Sequence, residues 1–195
     1  MAVKRRPYEL KRRAESAEET RNRLVEATFA LHSEQGIAAT TMKQIAERAG
    51  VGIGTVYHHF PTLVDTITAC GEHAMAAHPL PTEAVFAGVP TMKERMARLA
   101  RAWFGCLDGM VFDRVRPDRD SAPIVGRFID MEERQRIELT RAALAPFAVD
   151  RDLIRVAAAL LDIGVFRALQ RVGLSLDEAA GAIADVIQAR LTRKD

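Results

Sequence analysis

The chain has 195 residues, 48% of them hydrophobic and 28% charged, and its formal net charge is +2. Such a balance is typical of a folded soluble protein and excludes a disordered chain. The two cysteines, Cys70 and Cys106, are too few for a disulfide framework and favour a reducing, cytoplasmic location. Because no run approaches the roughly 18 apolar residues that cross a bilayer, we expect no membrane partner.

The positive charge is concentrated at the N-terminus. Residues 1–13 contain six lysines or arginines against one acidic residue, Glu9, whereas the rest of the chain has a slight acidic excess. We therefore predict a flexible basic arm over residues 1–15. Such an arm can lie along phosphates or enter a minor groove, but a solvated tail without a partner has the same composition.

The first long helix is predicted from residue 16 to about residue 34. Ser16 and Glu19 have the spacing of a capping box, which pairs the orphan amides at a helix start. Gly36 is placed to end the helix. Its buried stripe, at three- and four-residue steps, consists of Leu24, Ala27, Thr28 and Leu31.

Residues 41–60 have the pattern of two short helices separated at Gly50, which is the sequence form of a helix-turn-helix. Thr41 and Gln44 form a second capping box, and Gly50 can adopt the left-handed conformation that ends a helix. The outer face of the second helix carries a hydroxyl, a phenol and an imidazole, which suit phosphate and base-edge contacts in a major groove. These groups belong to Thr55, Tyr57 and His58. A helical hairpin without any ligand would show the same two helices.

Residues 21–67 resemble the N-terminal domain of the TetR family of bacterial transcriptional regulators. The similarity is carried by residues 23–31, 35–36, 40–42, 45–51 and 54–61. The resemblance implies an all-α homodimer with a DNA-binding domain in front of a domain that binds an effector and dimerises. With the outer-face residues above, it gives the predicted DNA contacts Thr40, Thr41, Lys43, Gly52, Gly54, Thr55, Tyr57 and His58.

Two positions depart from the family pattern. Similar proteins carry a serine or another polar residue where this chain has Gly52, and a phosphate-binding lysine where it has Leu63. Fewer side-chain donors are therefore available to DNA. We expect Gly52 and Gly54 to let backbone amides at the helix start approach a phosphate closely.

The remaining sequence predicts further helices and no strand. Pro61 starts a connecting helix to about residue 78, and prolines and glycines between 79 and 90 mark a loop. Helices are then expected over residues 92–110, 124–147 (one or two), 152–172 and 176–191. The predicted fold class is all-α with about nine helices. A three-helix DNA-binding domain spans residues 16–65, and an effector-binding and dimerisation domain spans residues 66–195.

The last two predicted helices are apolar over much of their circumference, which favours burial on more than one side. A second copy of the chain would bury the second side, and a monomer core is the alternative. The predicted interface residues are Ala157, Leu161, Gly164, Ala168, Ile183 and Ile187. A twofold dimer would hold its recognition helices about 34–36 Å apart, matched to a palindromic operator in double-stranded DNA.

A ligand site is harder to predict. Aromatic and sulfur-containing residues between 96 and 147 are adaptable linings for an apolar effector, although an ordinary core has the same composition. The predicted lining residues are Trp103, Leu107, Met110, Phe128 and Phe166. Asp162 lies among apolar neighbours and should need a hydrogen-bonding partner if it is buried.

These patterns favour a ligand-responsive repressor that binds its operator as a homodimer and is released by a small, largely apolar effector. No phosphate-binding loop or nucleophile elbow is present, so we predict neither an enzyme nor a cofactor. One alternative is a metal-binding protein or enzyme, with Cys70 and His73 at helical spacing and His78 as a distant third ligand. Another is a regulator of the same fold with a protein partner and no small-molecule effector.

Overall fold

The computed structural model describes residues 5–110, 112–120 and 122–192, and within them the chain is helical with no strand. Residues 1–4 of the predicted arm lie outside this range. Two short 3-10 turns, Glu83–Val85 and Arg116–Asp118, join longer elements. The α-helices are α1 (Arg5–Gln35), α2 (Met42–Ala49), α3 (Ile53–His59), α4 (Leu63–Ala77), α5 (Met92–Gly109), α6 (Phe112–Val115), α7 (Pro123–Leu144), α8 (Arg151–Leu160), α9 (Ile163–Arg171) and α10 (Leu176–Thr192). Over the described residues, none of them is long and apolar enough to cross a bilayer.

Helix α1 begins eleven residues before the predicted start. Ser16 lies inside the helix, where its carbonyl accepts the Thr20 hydroxyl at 2.9 Å, so its capping-box spacing is not used. The residues before it are good helix formers, and Pro7 lies in the first turn, where proline is tolerated. The prediction of a flexible arm is therefore wrong for residues 5–15, which extend α1.

Two apolar cores divide the molecule. The smaller core joins α1, α2, α3 and the start of α4, and we call these elements the head. Its fully buried members include Leu24, Ile45 and Val56. The larger core joins α5 to α7, α8, α9 and α10, which we call the body, and α5 packs most extensively along α10. Trp103 and Phe104 of α5 have no exposed surface at the centre of the body.

The predicted helix over residues 152–172 is two helices. α8 ends at Leu160, and Asp162 caps α9 by accepting the Gly164 N–H at 2.8 Å. Asp162 also pairs with Arg116 at 2.8 Å, and its side chain is 28% exposed, so the carboxylate is paired without being fully buried. A capping aspartate in the middle of an apolar run was the signal that the single-helix prediction overlooked.

Head and body meet along α4 and around the loop after α1. The Ile37 N–H donates to Asp118 Oδ2 at 3.0 Å, and the Ile37 side chain belongs to the larger core. On α4, a Cβ at Gly71 would lie 2.6 Å from the ring of Phe128, so α4 rests on α7 without space for a methyl group. The predicted boundary between residues 65 and 66 falls inside α4.

Candidate DNA-binding surface and ligand cavity

The turn between α2 and α3 depends on Gly50. Its φ and ψ of 66° and 38° are left-handed, and its N–H is directed at the carbonyls of Ala46 and Glu47. The Val51 N–H donates to the Ala46 carbonyl at 3.0 Å. A Cβ at Gly50 would meet no atom within 4 Å, so glycine serves here for its backbone conformation. At the other end of α2, Thr41 and Gln44 form both halves of the predicted capping box.

Helix α3 is attached to the head by one face. Val56 is fully buried, and Phe60 at its end is packed beneath the Arg21 side chain, whose guanidinium lies 5.4 Å from the ring centroid. The opposite face is open, with Ile53 exposed by 44% and Tyr57 by 51%. A short helix anchored by one face and open on the other has the form needed to enter a major groove.

Most predicted DNA contacts share this outer surface. Thr41, Lys43 and Tyr57 border one shallow groove between α2 and α3. Gly52, Gly54 and His58 are exposed and Thr55 is half-buried. Added Cβ atoms at Gly52 and Gly54 would meet nothing within 4 Å, so the backbone is open to an approaching group there.

Thr40 is an exception among the predicted contacts. It is buried, and its hydroxyl donates to the Gly36 carbonyl at 2.8 Å. The Gln35 side-chain amide is directed at the same hydroxyl from 3.4 Å. Thr40 therefore closes the turn after α1 and does not offer its hydroxyl to the surface.

Charges on α2 differ in availability. Arg48 makes a two-pronged pair with Glu34, at 2.8 and 2.6 Å, which ties α2 to α1. Lys43 lies 3.8 Å from Glu47 with both side chains largely exposed, and such a pair is weak. The Lys43 ammonium can therefore exchange this partner for a phosphate.

A partly open cavity of about 80 Å³ lies where head and body meet. Its walls come from α1, α4, α6 and α7, from the end of α5 and from the loops after α1 and α4. Most of the lining is apolar, and it includes Phe29, Ile67, Met75, Val125 and Phe128.

Two polar side chains interrupt this apolar lining. His32 of α1 and Glu132 of α7 are 3% and 2% exposed, and within the described chain His32 Nε2 and Glu132 Oε2 have no hydrogen-bond partner. Burial lowers the pKa of His32 to about 4, against an opposing effect of Asp118. Burial also raises the pKa of Glu132, and the charges of Arg136 and Arg116 oppose that change.

An ion-pair network lies behind Glu132. Arg136 Nε is 3.2 Å from Glu132 Oε1, and Arg136 Nη1 donates to the Ala158 carbonyl of α8 at 2.7 Å. Arg116 pairs with Asp162 at 2.8 Å and with Glu133 at 3.3 Å. The network engages Glu132 through Oε1, whereas Oε2 has no hydrogen-bond partner among the described residues.

The cavity contains only part of the predicted ligand site. Met110 and Phe128 line it, whereas Trp103, Leu107 and Phe166 are packed inside the body core, where Phe166 stacks on Phe104 with ring centroids 4.7 Å apart. Sequence reasoning missed Phe29, His32 and Glu132. An acidic residue four positions before Arg136 on an otherwise amphipathic helix was the available signal for Glu132.

A family model described as "Bacterial regulatory proteins, tetR family" matches residues 24–62, which run from α1 to the start of α4. These residues form the helix-turn-helix described above, and solved structures of TetR-family regulators share the fold of the whole chain. Residues 24–62 therefore have the sequence of a TetR-family N-terminal domain.

Curated relatives match about a third of this chain. The HTH-type transcriptional repressor KstR of Mycolicibacterium smegmatis is 39% identical over 56 residues, 29% of this chain and 28% of KstR. The HTH-type transcriptional regulator SrpR of Pseudomonas putida is 40% identical over 67 residues, 34% of this chain and 30% of SrpR. The chain thus spans less than a third of the length of these relatives, which are transcriptional regulators.

Solved structures extend the likeness to the body. A tetR-family transcriptional regulator from Streptomyces coelicolor superposes with a TM-score of 0.62 at 17% identity, over 88% of this chain and 80% of that one. NalD, the secondary repressor of the MexAB-OprM multidrug efflux pump in Pseudomonas aeruginosa, gives 0.58 at 21% identity, over 88% and 96%. At such identities the likeness shows the TetR fold of both domains and nothing about their ligands.

In this TetR fold the predicted dimer residues separate into two groups. Ala157, Leu161, Ile183 and Ile187 are buried in the chain's own core, so they have no surface to offer a second copy. For Ala157 and Leu161 the reason is the break at Asp162, because two short helices bury their apolar faces inside one body. Ile183 and Ile187 belong to α10, which packs extensively along α5. Gly164 and Ala168 are exposed, and their place at an interface stays a prediction.

The Cys and His residues of the metal-site alternative do not assemble. Burial raises the pKa of the Cys70 thiol to about 12, which disfavours the thiolate that binds metals. His73 is exposed on α4 and meets the edge of Phe29 with ring centroids 6.3 Å apart. Over the residues that the structure describes, no three His, Cys, Asp or Glu side chains are placed to share a metal ion.

Proposed function

We propose that the chain is a cytoplasmic transcriptional regulator that binds a palindromic DNA operator as a homodimer and is released by a small, largely apolar effector. The observation that carries the proposal is α3, anchored by Val56 on one face and open on the other. Thr41, Lys43 and Tyr57 border the adjacent groove with the donor groups that phosphates and base edges accept.

The position of the cavity supports regulation by a ligand. Its walls include α1 and α4 of the head and α7 of the body, so a molecule inside it contacts both parts of the chain. A ligand that binds better to one arrangement of head and body shifts the population toward that arrangement. If the favoured arrangement no longer matches the operator spacing, DNA is released, which makes the chain a repressor.

The proposed dimer would use the outer faces of the last three helices. Gly164 and Ala168 of α9 are small and exposed, which allows close helix approach. Val156 of α8 and Val186 of α10 are exposed by 43% and 54%. In the proposed interface these exposed positions replace the predicted interface residues that are buried in the body core.

Selection of bound fragments from the source genome, at two salt concentrations, tests the proposal. A palindromic motif, bound less tightly as salt rises, is the expected result, because phosphate contacts release counterions. Recovery of no motif by a folded protein would overturn the assignment. Sedimentation of the protein on the recovered fragment would measure whether two chains bind each site.

Replacing Tyr57 by phenylalanine is expected to weaken operator binding roughly 3- to 10-fold, the effect of losing one hydrogen bond. Tyr57 is half exposed beside Lys43, so the change removes only the hydroxyl and leaves the packing of α3 unaltered. Fluorescence anisotropy with a labelled operator measures the affinity. Thr68→Val is the matched control, because the Thr68 hydroxyl donates to the Val64 carbonyl of its own helix at 2.8 Å. Equal affinities of Y57F and wild type would remove Tyr57 from the contact surface.

A further inference from the structure

The cavity between head and body combines a hydrocarbon lining with two buried polar atoms that lack partners in the described chain, His32 Nε2 and Glu132 Oε2. Buried polar atoms are nearly always hydrogen-bonded in folded proteins, and an unmet one costs stability. Both side chains are more than nine-tenths buried and both border the same space. A guest molecule with a donor group would satisfy them.

The guanidinium of Arg136 makes no hydrogen bond to Glu132 Oε2. Arg136 approaches the other carboxylate oxygen, Oε1, at 3.2 Å, and its Nη1 is held by the Ala158 carbonyl at 2.7 Å. Its Nη2 lies 3.6 Å from Asp162, which Arg116 also pairs. Arg136 is therefore held by these partners. Oε2 is the carboxylate oxygen of Glu132 that remains available to a ligand.

The charges around Glu132 favour a positively charged guest. The ion pairs behind Glu132 join four carboxylates (Glu132, Glu133, Asp130 and Asp162) to three guanidinium groups (Arg116, Arg119 and Arg136), which leaves an excess of one negative charge. An anionic ligand would face the carboxylate directly. A neutral alcohol could donate one hydrogen bond but would leave this excess unbalanced, and a charge-assisted bond is about twice as strong.

We propose that the cavity binds a small apolar amine, with the ammonium group donating to Glu132 Oε2 and the hydrocarbon part packed against Phe29, Ile67 and Phe128. The proposal rests on the proposed regulatory function and names the chemical class of its effector.

His32, the second polar residue of the cavity, is compatible with the same ligand. Because burial lowers the pKa of His32 to about 4, its imidazole is neutral at pH 7 and does not repel an ammonium ion. A neutral imidazole has one nitrogen that accepts a hydrogen bond. The two walls therefore offer acceptors to a donor-rich head group.

The dimensions favour a narrow molecule. The cavity holds about 80 Å³, roughly half the volume of an engineered cavity of about 150 Å³ that admits benzene. Met75 and Met131 border it, and methionine side chains adapt to the shape of a guest. An unbranched alkyl chain is the simplest fit.

Isothermal titration of the full chain without DNA, using three probes that share one tail, tests the head-group preference. The probes are n-propylamine, n-propanol and propionate. We expect propylamine to bind at least about tenfold more tightly than propanol, and propionate not to bind. Tighter binding of propanol or propionate would overturn the proposal. Because no DNA is present, failure here leaves operator recognition untouched, and a failed operator selection leaves these affinities valid.

Variants locate the binding. Glu132→Gln keeps the shape and removes the charge, and it should reduce the preference for the amine over the alcohol to within about threefold. Glu138→Gln, at an exposed position of the same helix outside both the cavity lining and this ion-pair group, is the matched control and should keep the preference. Ala74→Phe fills the cavity from α4 and should abolish binding of every probe. Unchanged amine binding in E132Q or in A74F would contradict the assignment.

Discussion

Replacing Arg136 by methionine is expected to lower the free energy of unfolding by about 3–5 kcal/mol, the usual cost of removing one partner from a buried ion pair. The change leaves the carboxylate of Glu132, whose side chain is 3% exposed, without its nearest cation. It also removes the side-chain hydrogen bond from α7 to the Ala158 carbonyl of α8, so the contact between these helices is weakened. Urea unfolding followed by circular dichroism at 222 nm measures the loss.

Arg141→Met on the same helix is the matched control. Arg141 pairs with Glu138, but the two side chains are 55% and 63% exposed, and such pairs contribute about 0–1 kcal/mol. The double variant Glu132→Gln, Arg136→Met should lose less free energy of unfolding than the two single variants lose together, because it leaves no buried charge unpaired. A loss for R136M as small as that for R141M would mean that the network adds nothing to stability.

Acidification from pH 6.5 to pH 4 is expected to destabilise the fold through His32, by up to about 3 kcal/mol. Burial lowers the pKa of His32 from 6.5 to about 4 in the folded chain. Between these values the unfolded chain binds a proton that the folded chain does not, so stability falls as pH falls. The contribution is complete above pH 6.5 and is lost progressively down to about pH 4.

The variant His32→Leu isolates this effect, since it keeps an apolar residue of similar size and removes the titration. The stability of H32L relative to wild type should rise as pH falls from 6.5 to 4. The comparison is needed because the pKa of Glu132 is raised by burial and contributes with the opposite sign. His73→Leu, at an exposed histidine on α4, controls for the loss of one imidazole. If the urea unfolding midpoints of H32L and wild type change equally across this pH range, His32 does not titrate as its burial requires.

The head could be predicted from sequence because its signals are local. The capping box at Thr41 and the left-handed Gly50 each depend on residues at most five positions apart, and both are found as expected. Val56 is buried and Tyr57 exposed, as the pattern of the recognition helix indicated. Local rules failed at Ser16, because a capping-box spacing inside a run of helix formers does not start a new helix.

The cavity could not be predicted because its walls come from distant parts of the chain. Phe29 and His32 lie a hundred residues before Glu132, and only the packing of α1 and α4 on α7 brings them together. The aromatic residues that the pattern did select, Trp103 and Phe166, are among the largest side chains of the body core. Composition alone does not distinguish a side chain that lines a space from one that fills it.

Helix α1 belongs to two structures at once. Leu24 and Leu31 pack in the apolar core of the helix-turn-helix, whereas Phe29 and His32 line the cavity. A head transplanted from a relative would therefore bring its own half of the effector site with it. Chimeric regulators that join this body to foreign heads should change in ligand preference as well as in operator choice, unless residues 29 and 32 are restored.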